Sequence, residues 1–150
     1  MQKQLATIAL ALVLGCGYTI SAFAQAKPDV LVKQRQSVMT LQGKYFGPLG
    51  LMNAGKLPFN ADVVARNAAF LDALSQMPWD GFTEDTKGEK SRAMPEIYSN
   101  AAGFKTAQDN FRGAVTKLVG AAKGGEAAAK AAIGEVLNNC NSCHKNFRTQ

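Results

Sequence analysis

Near the end of the chain the stretch CNSCHKNFR brings Cys140, Cys143 and His144 together, and His144 is the only histidine in 150 residues. On a helix the three would stand at i, i+3 and i+4 and project from one face. Two thiols and an imidazole so arranged suit the attachment of c-type haem: each thiol adds across one vinyl group as a thioether, and the adjacent imidazole gives a nitrogen to the iron. Three other chemistries use similar residues. A redox dithiol would place its CxxC at a helix start beside a sheet, and no strand-like alternation is visible here. A structural zinc ion would need a fourth ligand, and with one histidine and only Cys16 left over it would have to recruit a carboxylate. A plain disulfide, the ordinary fate of paired cysteines in an exported protein, would leave His144 unexplained.

The chain that must position this cluster begins with a leader. Residues 1–24 combine the basic start MQKQ, the apolar run LATIALALVL and the small-x-small site Ala22-Phe23-Ala24, the layout of a secretory signal peptide. Gly15, Cys16 and Gly17 interrupt the apolar run well short of the roughly 20 residues a spanning helix needs, so no membrane span is expected. A competing reading comes from LVLGC, which resembles a lipoprotein signal with Cys16 as the lipidated residue. Residues 25–150 then form one domain, long enough for a single core. The formal charge of +6 falls to +5 without the leader, which holds one lysine and no acid. The basic residues are scattered, with no run that would track a phosphate backbone, so nucleic acid is not an expected partner. A mild positive field can steer an acidic protein.

Four helices separated by Pro and Gly account for the rest. The first runs from about Asp29 to Met52, with apolar doublets at Leu31–Val32, Val38–Met39 and Tyr45–Phe46, and Pro48 should kink or shorten its last turn. GKLPFN breaks the chain, and Asn60 caps a second helix that ends before Pro78 and buries Val63, Phe70, Leu74 and Met77. Residues 78–95 form an irregular loop, long enough to be functional. The third helix follows Pro95 with a seam at 97, 101, 104, 108, 111, 115, 118 and 122, and Gly124-Gly125 ends it. The fourth starts at Glu126 and carries Ala129, Ile133, Val136, Cys140, Cys143 and Phe147 at bundle spacing. The expected fold is all-α, an antiparallel up-and-down four-helix bundle with the cysteine and histidine cluster inside its last helix.

KPDVLVKQRQSVMTL, GKLPFNADVV, LSQMPWDGF, PEIYSNAAGF and CNSCHKNFR, spread over residues 25–150, together resemble the cytochromes c′, whose haem motif lies close to the C-terminus. The resemblance implies one haem c held covalently by Cys140 and Cys143, with His144 as axial iron ligand. It places Arg35 and Gln36 at the haem edge and propionates, Met39 over the open face of the iron, and Arg148 on the proximal side beyond His144. The bland reading of Arg35 is a solvated helix charge, but it falls at the edge of the Val32, Met39 and Phe46 stripe, and the resemblance favours the haem contact. The loop at 83–92 does not align with the family, and no haem contact is carried onto it.

Met39 decides the function. A thioether bound to iron would make a six-coordinate, low-spin His/Met electron carrier; one that only packs over the iron leaves a five-coordinate, largely high-spin site open to a small ligand. Arg35, Gln36 and the MPW and PEIY segments resemble the high-spin branch. An apolar distal face suits NO and CO better than O₂, which gains from a distal donor, and no second histidine exists to be one. Peroxide chemistry would want a distal acid or base, so no enzyme is expected. The resemblance further implies a periplasmic homodimer packed through the first two helices, with a redox protein as partner for electron exchange.

Overall fold

Pro28 opens α1 (Pro28–Asn53) at a position where its missing N–H has no helical partner to lose. The structure, a computed structural model, describes residues 26–150; the leader, its Ala22-Phe23-Ala24 site and Cys16 lie outside the described residues. Pro48 neither ends nor shortens α1, which continues to Asn53 because Leu49 and Met52, both buried, anchor the turn beyond it. Asn60 caps α2 (Ala61–Ser75) as expected, its side chain accepting the Val63 N–H at 3.0 Å. The anticipated third helix is divided. A single turn, α3 (Glu96–Ser99), stops at Asn100, whose side chain accepts the Gly103 N–H at 3.1 Å and starts α4 (Ala101–Ala121) afresh. An asparagine followed by small residues gains more as a cap than as a helix interior. Gly125, at φ +89°, then turns the chain into α5 (Glu126–Phe147), a left-handed conformation that glycine adopts without strain.

Each long helix packs on its neighbour in the chain, and α1 closes against α5, giving an antiparallel four-helix bundle. Among the described residues there is no strand, only an isolated bridge between Ala93 and Arg148. Leu49, Val64, Leu71, Val115, Leu118, Ile133 and Val136 form the centre of the core and are essentially sealed from water. In α4 the expected seam holds except at Ala101, which is exposed next to the Asn100 break.

In α2 the buried face is turned by about one residue from the expected stripe. Val64, Ala68, Leu71 and Leu74 face inward, Val63 is half-buried, and Phe70 and Met77 are 44% and 52% exposed. Two buried amides set this rotation. Asn67 of α2 donates to the Tyr45 carbonyl at 2.9 Å, and Gln42 of α1 donates to the Leu74 carbonyl at 2.9 Å. Buried polar groups need partners, so α2 turns to present Asn67 to α1, and Phe70 goes outside, where its ring lies 4.7 Å from that of Tyr45. Leu71→Ala should therefore cost about 2–5 kcal/mol in chemical denaturation, whereas Phe70→Ala should cost no more than about 1.5 kcal/mol. Equal losses would return Phe70 to the core.

Candidate haem-binding site

Cys140, Cys143 and His144 lie within one turn of α5, as the spacing requires. Both cysteines are half-buried free thiols and His144 is exposed at the mouth of a cavity of about 720 Å³. That volume lies within the roughly 300–1,000 Å³ typical of cofactor pockets. On the α1 side the walls are Arg35, Gln36, Met39 and Phe46. The 78–95 segment adds Trp79, Phe82, Ser91 and Arg92, and α5 adds the cysteines, His144 and, just past its end, Arg148. Every residue singled out from the sequence therefore faces one space.

The electrostatics of that space separate the candidate chemistries. Burial, with a smaller contribution from Cys143, pushes the Cys140 thiol up to about 11, and burial also raises Cys143. A redox dithiol works through a thiolate, which these surroundings disfavour. His144 is shifted the other way: although its edge reaches solvent, desolvation of the part of the ring packed against the protein, then the charges of Arg148 and Arg92, hold its pKa below the usual histidine value. Its imidazole is thus uncharged at neutral pH, with a lone pair available to a metal. Among the described residues no three His, Cys, Asp or Glu side chains converge as a metal site by themselves. A metal at His144 must bring most of its ligands with it, as the iron of a haem does.

Arg35 places a buried positive charge on the cavity wall. It is 3% exposed, and a guanidinium keeps its charge at any ordinary pH, so burial demands compensation. Nη1 donates to the Gly81 carbonyl at 2.7 Å and to Thr86 Oγ1 at 3.0 Å, Nη2 donates to Ser91 Oγ at 3.2 Å, and the Phe82 ring covers the guanidinium with its centroid 4.2 Å away. Glycine at residue 81 eases this close approach of the loop. A Cβ there would stand 3.1 Å from the Leu31 carbonyl oxygen and 3.2 Å from Arg35 Cβ. None of these partners is an anion, and Arg35 takes part in none of the ion pairs among the described residues. Three of its five N–H groups are engaged; Nε–H and one Nη2–H remain, a pair that matches the two oxygens of one carboxylate. No Asp or Glu lines the cavity, while Arg35, Arg92 and Arg148 all do. An apolar cavity with a cationic rim and no acids of its own fits a flat apolar macrocycle with carboxylate arms, which is what haem is.

Arg148 is held in place by the chain end. Met94 N–H donates to the Phe147 carbonyl at 3.0 Å, Thr149 N–H to the Arg92 carbonyl at 2.9 Å, and Ala93 bridges Arg148 itself. Phe82, Thr86, Ser91 and Arg92, which hold or extend the cationic rim, were not anticipated. They sit in a segment of short 3₁₀ turns (Trp79–Gly81 and Glu84–Thr86), where no period points to a face; its length alone signalled a role.

Comparison with known proteins agrees with this site. A family model described as Cytochrome C' matches residues 30–148. The chain is 44% identical over 124 residues to the cytochrome c' of Rubrivivax gelatinosus, covering 81% of this chain and 96% of that protein. A crystal structure of the Rubrivivax protein superposes with a TM-score of 0.77 at 43% identity, over 82% of this chain and 98% of the other. A variant of cytochrome c prime from Alcaligenes xylosoxidans, solved as its nitric oxide complex, gives a TM-score of 0.76 at 38% identity, over 84% and 98% of the two chains. This chain belongs to the cytochrome c′ family, whose proteins bind one covalently attached haem c.

Proposed function

We propose that Cys140 and Cys143 carry the haem through thioether bonds, that His144 is its axial ligand, and that Met39 covers the opposite face without binding the iron. The protein then takes up NO and CO and exchanges electrons, in the periplasm. Haem c, when bound, supplies an iron that holds or gives up one electron and ligates small gases. The chain does the rest. His144 offers a neutral imidazole, Arg35 has two donors free for a propionate, and Gln36 and Arg148 flank the same opening.

The observation that carries this reading is the make-up of the cavity around Met39. Met39 is half-buried and lines the cavity together with Phe46, Leu71 and Phe111, and apart from His144 no histidine or carboxylate lines the space. Such a wall offers peroxide neither a carboxylate nor a second histidine to act as acid or base, in keeping with binding rather than catalysis. The Alcaligenes xylosoxidans relatives solved with nitric oxide support NO as the ligand. Because Met39 shares a cavity with His144, coordination by its sulfur is the second reading, which would make the protein a low-spin electron carrier.

The leader supports export to the periplasm. No helix of the described residues is long and apolar enough to cross a membrane. Leu41, Phe70 and Met77 leave apolar surface exposed on α1 and just past and along α2, in keeping with a homodimer built on the first two helices. Arg92 and Arg148 at the cavity mouth, with the net positive charge, fit an acidic redox partner.

Met39→Ala should make CO bind the ferrous protein roughly tenfold faster, equivalent to about 1.4 kcal/mol of relieved crowding. An unchanged rate would mean that Met39 does not stand over the iron. Sedimentation equilibrium should return twice the mass of the exported chain, and a monomer at micromolar concentration would exclude the dimer.

A further inference from the structure

Thr86 does not line the cavity, yet it is 1% exposed and its hydroxyl meets three different segments of the chain. A hydroxyl has one proton to give and two lone pairs to receive with. The Thr83 carbonyl, at 2.8 Å, is the nearer acceptor for its proton, with the Gly81 carbonyl farther away at 3.3 Å. Arg35 Nη1 approaches at 3.0 Å as a donor that can only give. The Tyr98 hydroxyl, also at 3.0 Å, takes the remaining lone pair by donating. With its proton and both lone pairs committed, the Thr86 oxygen joins α1, the 78–95 segment and α3.

The consequence for Arg35 is geometric. Gly81 and Thr86 hold both N–H groups of Nη1, and Ser91 holds one of Nη2, so the loop grips one side of the guanidinium. Phe82 covers its flat face. The remaining donors, Nε–H and the second Nη2–H, are thereby fixed in direction. Without the Thr86 hydroxyl, an Nη1–H and the Tyr98 hydroxyl would both lack a buried partner, and the guanidinium could recover one only by turning.

We propose that Thr86 is a positioning residue, which through Arg35 fixes a cation against one haem carboxylate and so raises the midpoint potential of the iron. This rests on the reading that Arg35 pairs with a propionate. A cation held near the haem favours the ferrous form, and one that swings away does so less.

The test is the midpoint potential of the haem-loaded protein at pH 8, where a propionate is ionised with or without its partner. Arg35→Gln should lower the potential. Thr86→Val, which keeps the shape and removes the hydroxyl, should lower it by part of that shift, and Thr86→Ser should restore it. The double variant Arg35→Gln/Thr86→Val should match Arg35→Gln alone, because Thr86 acts through Arg35. A Thr86→Val potential equal to that of the unaltered protein, a Thr86→Ser protein that behaves like valine, or fully additive shifts would overturn the positioning role alone. No shift in Arg35→Gln would overturn the propionate pairing as well. Should Thr86→Val fail to take up haem, Tyr98→Phe serves instead: a partial shift in the same direction is expected, and an unchanged potential would overturn the proposal.

Discussion

A guanidinium that cannot lose its proton sits almost fully enclosed at Arg35, with no carboxylate beside it. Neutral partners satisfy three of its hydrogens and an aromatic face covers it, but its charge still lacks an anion. The haem end of the molecule is organised around this demand. The 78–95 segment folds back on α1 at Gly81, where the lack of a side chain eases the close approach. Acids are kept off the cavity walls while two further arginines line them. A haem seated here would supply apolar bulk for the cavity and carboxylates for the cations at once, which would tie cofactor binding to the local structure of this end.

The bundle delivers that arrangement by controlling rotation. On α1, Arg35, Met39, Gln42 and Phe46 fall on one stripe, so the angle at which α1 sits decides what stands over the iron. Gln42 and Asn67, buried and bonded across the α1 and α2 interface, fix that angle more sharply than apolar packing alone would. At the other end, Val115, Leu118 and Ile133 close the interface between α4 and α5 tightly. One end of a single four-helix frame is thus a dry core, and the other is an opened pocket.

The parts legible in the sequence were those that depend on local chemistry. CNSCH announced a haem c protein, Asn60 its cap, and the α4 seam its buried face, since each follows from spacing along one helix. The turn of α2 was not legible, because a period count sends Phe70 and Met77 inward and cannot know that Asn67 has a carbonyl waiting on α1. The break at Asn100 was hidden inside a continuous apolar seam. Nor could the sequence tie Arg35 to Thr86 and Ser91, contacts made across about fifty residues of chain through a segment with no period at all.

Two residues share the functional decision. If His144 takes one side of the iron as proposed, the chemistry open to the protein depends on whether Met39 binds the other side or merely shields it. The absorption spectrum of the purified ferric protein at neutral pH reads this directly. A high-spin spectrum without a methionine-to-iron charge-transfer band is expected if Met39 only covers the site. A low-spin spectrum with that band would contradict it and make the protein a His/Met electron carrier.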